Sequence, residues 1–547
     1  MAIASIQPAI LLSFLVLFLG PYLQTAKLCS CSDDHKVGNC HSIESIPDQF
    51  IGSVKELRYL DLSWNCFEGR IPQQLGNFSY LHHLGLSNTC FYAQEELQFL
   101  SHLTSLEYLD LSGLDLSKTG PLFPSWLRNL NRLGLIKLEN VGISDKIPNW
   151  FPKIYPSLLI LNLSNNQISG KLPLELKNGL KSTEIAVLNL RGNLFSGTIP
   201  LNINETMPNL LCVILSNNLM GGSIPSSICN LKRLRAVSLS SNYLSGELPQ
   251  ECWKDLQSLE AIELSNNHPS GKVPISIWSA PQLSILSLSK NGFSGNLPPN
   301  LKTLGPLRVI DLGENSFSGN LPMWMGKRLP HLEILRLRSN SFSGSIHEHH
   351  CLLHSLRILD LAHNGLSGTI PHCFGNFSGM ATVHPTNPFL IPSMIINNNE
   401  VVDQVNVWIT RGIELEYNAT LQFMESIDLS HNAFSGEIPT EITGLLGLSI
   451  LNLSMNQLTG RIPEKIGSMQ RLEVLDLSRN QLSGSIPPSI STLNSLNHLN
   501  LSNNNLYGRI PSGNQLQTLP DPSIYAGNPG LCGAPLKIAQ LILTSTA

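Results

Sequence analysis

The chain has little charge for its length and no excess of basic residues. Of its 547 residues, 14% are charged, and 35 Lys and Arg stand against 39 Asp and Glu, which gives a net charge of -4. A protein without an excess of basic residues attracts nucleic acid poorly, so we exclude a nucleic-acid-binding function. A second long apolar run is also lacking. The C-terminal "IAQLILTSTA" is too short to cross a bilayer, and we expect no membrane span after the N-terminal segment.

The one long apolar run stands at the start of the chain. The segment from Ala9 to Leu23, "AILLSFLVLFLGPYL", has the length of the apolar part of a secretory signal peptide, which we predict over residues 1–26. The alternative is an uncleaved membrane anchor. Secretion is also favoured by seven N-x-S/T sequons, which predict glycosylation at Asn77, Asn162, Asn204, Asn376, Asn418, Asn452 and Asn500.

A repeated motif organises most of the chain. Segments such as "VLNLRGNLFSGTIP" and "VLDLSRNQLSGSIP" share the pattern L-x-L-x-x-N-x-h-x-G-x-h-P, in which h is apolar, and 17 copies run from Leu57 to Pro511. The Asn is present in 14 copies, and Gly follows it four residues later in each. The nearly constant spacing of the copies predicts leucine-rich repeats. We therefore predict an α/β-type solenoid, a right-handed superhelix with a concave parallel β-sheet.

Each recurrent position of the motif has a physical role. The L-x-L segment predicts a short strand whose leucines point inward. The Asn amide can satisfy backbone groups between neighbouring coils. Gly permits a tight backbone path after the strand, and Pro fixes φ in the extended turn that follows.

The array is interrupted once. The spacing between Asn364 and Asn432 is nearly three times that of the other copies, and the insertion at 376–423 lacks the motif. Long insertions in regular arrays are usually functional or disordered, and "VDQVNVWIT" favours some order here. We divide the chain into a signal peptide (1–26), a remnant N-terminal cap (27–56), repeats 1–13 (57–375), the island insertion (376–423), repeats 14–17 (424–511), and a C-terminal cap remnant with tail (512–547).

One histidine-rich stretch imitates a metal site. "SGSIHEHHCLLHSL" comes within one residue of the zinc-protease motif H-E-x-x-H, because Cys351 stands where the second His belongs. In the repeat frame, however, His347 takes the position of the motif's Pro, and His350 takes an inward apolar position. The segment is then a turn, in which His347, His349, His350 and His354 diverge. We expect no metal, no cofactor and no catalytic residues, and hence no enzyme.

The repeat frame also proposes disulfides among the 11 cysteines. Cysteines that occupy matching positions on adjacent coils lie near the distance that disulfide geometry requires. The proposed pairs are Cys66–Cys90, Cys229–Cys252 and Cys351–Cys373. The alternative is reduced cysteines that act as small core residues.

The sequence resembles plant leucine-rich-repeat receptor-like proteins, and in particular the group similar to receptors for fungal xylanase and to apple-scab resistance proteins. The resemblance rests on the "LSGxIP" repeats, the island with four repeats after it, "SIDLSHNAFSGEIP", "LCG" and "IPDQFIGSVKELRYLDLS". It implies recognition of a microbial or endogenous protein or peptide, no kinase domain of its own, and signalling with a receptor-kinase co-receptor at the plasma membrane.

The chain also departs from the family pattern. The N-terminal cap is nearly absent, the family's Lys-Gly in the island is Arg411-Gly412, and the sequence stops shortly after "LCGAPL". These departures predict a truncated product located outside the cell. The alternatives to the receptor function are a soluble inhibitor of a secreted microbial cell-wall-degrading enzyme and a non-signalling decoy.

Two sets of candidate site residues follow. If the ligand binds the concave face, the outward strand positions of repeats 9–13 carry the densest charge. This ligand set is Glu260, Glu263, Lys290, Arg308, Asp311, Glu314, Glu333, Arg336, Arg338, Arg357, Asp360 and His363. The co-receptor set is Trp408, Arg411, Glu416, Tyr417, Glu425, Asp428, His431, Glu473, Asp476 and Arg479.

Overall fold

The computed structural model describes residues 56–65, 68–93, 97–117, 122–172, 184–299, 301, 305–381 and 425–536. The described residues fall into two compact units, one up to Ser245 and one from Gly246 onward. Coils are numbered here as the repeats are, so coil 13 carries Asn364 and coil 14 carries Asn432. Residues 1–55, which include the predicted signal peptide, lie outside the described residues.

Each coil contributes one short strand to a parallel sheet, as the L-x-L motif predicts. In the first unit the strands are Tyr59–Asp61, His83–Gly85, Tyr108–Asp110, Leu135–Lys137, Ile160–Asn162, Val187–Asn189, Cys212–Ile214 and Ala236–Ser238. In the second unit they are Ala261–Glu263, Ile285–Ser287, Val309–Asp311, Ile334–Arg336, Ile358–Asp360, Glu425–Asp428, Leu448–Asn452, Val474–Asp476 and His498–Asn500. The predicted leucine-rich-repeat solenoid is therefore confirmed.

A second set of short parallel strands follows the motif's Asn, where we predicted only a tight backbone path. In the first unit these strands are Glu68–Arg70, Cys90–Tyr92, Ser169–Lys171, Leu194–Gly197, Leu219–Gly222 and Tyr243–Gly246, the last of which ends on the first residue of the second unit. In the second they are His268–Gly271, Gly292–Asn296, Ser316–Asn320, Ser341–Ser345, Gly365–Thr369, Ala433–Glu437, Gln457–Thr459, Ser483–Gly484, Asn505–Arg509 and Gly530–Cys532. The motif's Gly ends or nearly ends most of these strands, with φ of 86° at Gly295 and 83° at Gly319. A residue with a Cβ adopts such angles only with strain.

Short helices close the other side of the coils. The 3-10 helices are Gln73–Asn77, Gln98–His102, Ser125–Asn129, Phe151–Ser157, Ser226–Asn230, Trp253–Asp255, Glu348–Leu352, His372–Asn376, Thr440–Gly444, Glu464–Ser468, Pro488–Thr492 and Pro522–Tyr525. The α-helical turns are Ile203–Thr206, Ile275–Trp278, Trp324–Arg328, Ser378–Ala381 and Asn514–Gln517. The motif's Pro often precedes the helix in an extended conformation, as Pro225 does with φ of -74° and ψ of 145°.

The interior of the solenoid is filled by the inward residues of the motif. Ile310 and Leu312 of coil 11 are fully buried, and the apolar residue after the Asn adds a row of phenylalanines. Phe317 lies between Phe293 and Phe342, with ring centroids 6.5 and 6.3 Å away. Each buried aromatic ring contributes about 2–3 kcal/mol of burial free energy, which the stacked coils share.

The motif's Asn side chains connect the coils, as their predicted role requires. Asn315 donates from Nδ2 to the carbonyl oxygens of Leu288 at 2.9 Å and Leu312 at 3.1 Å, and its Oδ1 accepts from the N–H of Phe293 at 3.0 Å. The same arrangement extends one coil beyond the predicted array. Oδ1 of Asn528 accepts from the N–H of Leu506 at 3.1 Å, although Asn528 was not counted as a repeat position.

Candidate functional site

The concave sheet presents an internally paired band of charge on coils 11–14. We call this band the charged ladder and define it as Arg308, Asp311, Glu314, Glu333, Arg336, Arg338, Arg357, Asp360 and Glu425. Its members come from outward positions on or beside neighbouring strands. The parallel register places Asp311 beside Arg336 and Arg336 beside Asp360. All of the members except Glu425 belong to the predicted ligand set, so the structure does bring those residues together.

Arginines of the ladder bridge carboxylates on different coils. Nε of Arg308 donates to Oε1 of Glu333 at 2.6 Å. Arg336 lies 3.5 Å from Asp311, 3.6 Å from Glu314 and 3.5 Å from Asp360. One guanidinium therefore compensates several carboxylates on neighbouring coils, which lowers the cost of crowding them on one face.

The ladder continues across the insertion. Nη2 of Arg357 donates to Oε1 of Glu425 at 2.8 Å, although the insertion separates the two residues in sequence. Arg338 adds a second guanidinium 3.4 Å from Asp360. Coils 13 and 14 are thus joined by an ion pair as well as by their strands.

Acidic side chains at the outward strand positions are buried, which distinguishes this region from an open binding surface. Glu263, Asp311 and Asp360 are 4%, 3% and 8% exposed, although they stand at outward strand positions. The long side chain of Arg336 covers Asp311 and Asp360, with which it pairs. Within the predicted ligand set His363 is exposed, whereas Glu260, Lys290, Glu314 and Arg338 are half-buried.

The predicted co-receptor set divides in a different way. Trp408, Arg411, Glu416 and Tyr417 lie outside the described residues. Glu425 is 2% exposed and is held by Arg357, so its carboxylate supports the ladder and is a poor contact for a partner. On coil 16, Glu473 and Asp476 are half-buried and Arg479 is exposed. Among the described residues, no ion pair joins these three side chains to another residue.

The histidine-rich turn has the local structure that the repeat frame predicts. Glu348–Leu352 is a 3-10 helix preceded by His347, not a long helix. His350 is 4% exposed, with Nδ1 2.9 Å from the carbonyl of His347 and Nε2 3.3 Å from that of Pro322, and burial lowers its pKa. His347 and His349 stack on each other with centroids 4.5 Å apart, whereas Nδ1 of His354 contacts the carbonyl of Asn376 on the next coil. In the described part of the chain, no group of three or more His, Cys, Asp or Glu is arranged to hold a metal ion.

The cysteines follow the repeat frame where they are described. Cys351 and Cys373 form a disulfide, with their Cα atoms 5.7 Å apart on adjacent coils. Cys229 and Cys252 each take part in a disulfide bond. Cys66 lies outside the described residues, so the pairing of Cys66 with Cys90 stays a prediction.

The sequons occupy two kinds of position. Asn77 and Asn376 are exposed at the ends of 3-10 helices, and Asn204 is half-buried in a helical turn. Asn162 lies on a strand, is 1% exposed, and donates from Nδ2 to Glu139 at 3.1 Å. A glycan on that nitrogen has no room, so we expect Asn162 to stay unmodified. Asn452 and Asn500 share the strand position of Asn162, and Asn418 lies outside the described residues.

An aromatic column on coils 1–3 was missed in the sequence. Tyr59, His83 and Tyr108 occupy the same register position on neighbouring strands, and their rings stack with centroids 4.0 and 3.8 Å apart. Nζ of Lys137 lies 5.8 Å from the Tyr108 ring. The sequence does contain a signal for this column, because each of the three aromatic residues directly precedes the equivalent inward leucine of its coil. It was missed because the early repeats follow the motif poorly.

Comparisons with known proteins agree with this architecture. The leucine-rich-repeat family models match residues 447–506 and the segments 56–78, 157–178, 282–304, 355–377, 423–445 and 495–524. The receptor-like protein EIX1 of Solanum lycopersicum is 39% identical over 104 residues, which are 19% of this chain and 10% of that protein. Receptor like protein 24 of Arabidopsis thaliana is 32% identical over 243 residues, 40% of this chain and 26% of that protein. The matched segments therefore span about a quarter or less of these relatives.

A solved structure matches over most of the chain. The Arabidopsis receptor kinase HAESA, in complex with the peptide hormone IDA and the co-receptor SERK1, superposes with a TM-score of 0.66 at 29% identity, covering 91% of this chain and 77% of that one. The described residues contain no helix long and apolar enough to cross a membrane.

Proposed function

We propose that this chain, a leucine-rich-repeat protein of the plant receptor-like type, recognises a peptide or protein outside the cell and pairs with a receptor kinase. The solved relative HAESA, which is bound to a peptide and to SERK1, supports both kinds of partner. The curated relatives support the receptor-like role.

The unpaired charge on coil 16 is the observation that carries the proposal. On coils 11–14 the arginines form ion pairs with carboxylates of neighbouring coils. Glu473 and Arg479 lie beside a strand of the same sheet, but neither forms an ion pair with another described residue. Unpaired outward charges cost little in water and gain specificity only when an external partner complements them. We therefore assign co-receptor docking to coils 14–17, with the exposed Arg479 as a central contact.

Ligand recognition is assigned to the outward positions of coils 9–13. There the exposed His363 and the half-buried Lys290, Glu314 and Arg338 are available for contact. The buried Asp360 holds Arg338 in place through an ion pair at 3.4 Å. A protein or peptide fits this face better than a small molecule, because the polar positions are spread over several coils.

The docking assignment is tested with the full chain and the ectodomain of a SERK-type receptor kinase. Biolayer interferometry measures their association for the wild type and for the variant that combines Glu473→Lys with Arg479→Glu. Reversing both charges should weaken association by about tenfold or more. Lys254→Glu, on the Trp253–Asp255 helix with its side chain 53% exposed, is the matched control and should change nothing. If the coil 16 variant bound the receptor-kinase ectodomain with the affinity of the wild type, the docking assignment would be wrong.

A further inference from the structure

The junction between coils 13 and 14, here the seam, breaks a rule that holds elsewhere on the concave sheet. Along the central outward row, a charged residue pairs in register with an uncharged or oppositely charged one. Asp110 lies beside Lys137, Asp311 beside Arg336, and Asp476 between Asn452 and Asn500. At the seam, Asp360 pairs in register with Asp428. Among the described strand pairs of this row, it is the one pair of like charges, about 5 Å apart at the backbone.

The surroundings of Asp360 compensate this repulsion only in part. From coil 12, Arg336 and Arg338 approach its carboxylate at 3.5 and 3.4 Å, but Arg336 is shared with Asp311 and Glu314. Two guanidinium groups therefore face four carboxylates when Asp428 is included. The other titratable or charged groups around the site are Glu333 on coil 12, Arg357 and His363 on coil 13, Glu425 and His431 on coil 14, and Arg479 on coil 16, whose charge also lowers the pKa of His431.

Asp428 has no arginine within ion-pair distance in the described residues. Its Oδ1 accepts from the N–H of Ser430 at 2.9 Å, and its Oδ2 accepts from Nδ2 of Asn452 at 3.2 Å. These hydrogen bonds fix Asp428 on its strand and keep its charge beside Asp360. Burial is the main cause that raises the pKa of Asp360 to about 6, and the charge of Asp428 acts in the same direction, against Arg338 and Arg336.

A stacked histidine pair lies at the same seam. The rings of His363 and His431 stand 3.7 Å apart at an interplanar angle of 20°. Two imidazolium ions cannot share this geometry without strong repulsion. Burial and the neighbouring His363 both lower the pKa of His431, so the His431 imidazole stays neutral at pH values where an isolated histidine is charged.

We propose that the seam is a proton-sensitive clasp: a proton on Asp360 tightens the pairing of coils 13 and 14, and protons on the His363–His431 stack loosen it. The two sites act in opposite directions as the pH falls. The seam is therefore tightest at mildly acidic pH and looser at neutral pH, where Asp360 is ionised beside Asp428. Because the insertion at 376–423 connects coils 13 and 14, the clasp determines how strongly these two coils are paired. This proposal does not depend on the identity of the ligand.

Hydrogen exchange of the full chain, followed by mass spectrometry, tests the clasp directly. Seam amides include the N–H of Leu361, which donates to the carbonyl of Asp428 at 2.8 Å, and that of His363, which donates to Ser430 at 2.9 Å. The reference junction lies between coils 15 and 16, where the N–H of Leu453 donates to Asp476 at 2.8 Å. After correction for the intrinsic exchange rate, protection of the seam should rise about fivefold from pH 7.5 to 5.5 and that of the reference should not.

Two variants separate the carboxyl pair from the histidines. Asp360→Asn should give high protection at pH 7.5 and abolish the rise in protection from pH 7.5 to 5.5, leaving only the loosening by the histidines. Asp428→Asn removes the repulsion from the other side without touching the contacts of Arg336 and Arg338, and should act in the same direction if Asp360→Asn fails to fold. A rise in protection toward pH 5.5 that survives in both variants would overturn the proposal. So would wild-type protection that falls between pH 7.5 and 5.5, because the histidines would then dominate.

Discussion

Coils 11–14 and coils 15–17 share one sheet and one motif, yet they use charge in different ways. In coils 11–14 every arginine on the outward face contacts a carboxylate of another coil, and Asp311 is 3% exposed. In coils 15–17 Arg479 and His498 are exposed, and Asp476 accepts from Nδ2 of Asn500 at 3.4 Å. The density of charge in the sequence therefore does not identify the open surface, because paired charges satisfy one another.

The difference has a physical origin in the register. A strand rises about 3.3 Å per residue and neighbouring strands lie about 5 Å apart, so side chains at one register position are close enough to pair. Alternating signs at that position form a ladder, as Asp311, Arg336 and Asp360 do. Where Asn alternates with Asp, as in coils 15–17, the row stays polar and leaves the remaining charge to solvent or to a partner.

The largest effect should come from breaking the ladder at its most shared residue. Arg336→Met removes the guanidinium that serves Asp311, Glu314 and Asp360, and leaves buried carboxylates with less compensation. We expect a loss of about 3–5 kcal/mol in unfolding free energy at pH 7.5, measured by chemical denaturation. The loss should be smaller at pH 5, where Asp360 is protonated. Arg479→Met on coil 16 is the control, and an equal loss in both variants would contradict the contrast between the two regions.

The second effect tests the covalent support of the coils beside the insertion. Replacing both Cys351 and Cys373 by Ala opens a bond between residues 22 positions apart, which should cost about 3 kcal/mol through the freedom gained by the unfolded chain. Thermal unfolding of the purified protein measures the loss. Cys532→Ala, at an exposed thiol on the last coil, should leave the midpoint unchanged. Equal midpoints for the double variant and the wild type would mean that this disulfide adds no stability.

Much of this architecture can be predicted from the sequence, because each copy of the motif places the same types of residue at the same positions of a coil. The inward leucines, the Asn contacts between coils, the positive φ of Gly and the turn at the histidines all follow from one coil's pattern. The second row of strands does not, because h-x-G is too short to distinguish a strand from a turn. Asn528 escapes for a related reason: Tyr525 stands where the motif has its second leucine.

The charge pairing is harder to predict than the fold. Whether Arg336 contacts Asp311 or Asp360 depends on rotamers and on small differences in length between one coil and the next. Arg357 contacts Glu425 on the far side of the insertion, a separation at which no local pattern indicates contact. A list of outward charged positions therefore indicates which residues lie near one another on the sheet, but it does not show that they neutralise one another.

The third effect has the opposite sign, since it removes a destabilising charge. The pKa of Asp360 is raised from 3.8 to about 6, so the folded protein binds this proton more tightly than the unfolded chain. Its ionisation lowers stability as the pH rises from about 4 to 6, and the whole penalty is present at pH 7.5. Asp360→Asn should therefore gain about 1–3 kcal/mol at pH 7.5 and almost nothing at pH 4.

The control for this gain is the equivalent position on coil 16. Asp476 lies between Asn452 and Asn500, with no like charge beside it. The variant Asp476→Asn should therefore not stabilise the protein at pH 4 or at pH 7.5. Thermal unfolding at pH 4, 6 and 7.5 distinguishes the two variants. If Asp360→Asn destabilises at pH 7.5, its ion pairs with Arg336 and Arg338 outweigh the burial and the repulsion by Asp428.

The smallest effect on stability is expected where the effect on binding is largest. Arg479 is exposed and Glu473 half-buried, and neither forms an ion pair with another described residue, so reversing both charges should change the unfolding free energy by less than about 0.5 kcal/mol. The same double variant is the one expected to lose association with a receptor-kinase ectodomain. Parallel measurement of denaturation and association on one preparation separates a docking surface from a folding defect. A loss of several kcal/mol in stability would instead mean that coil 16 relies on these charges internally, as coils 11–14 do, and the contrast between the two regions would disappear.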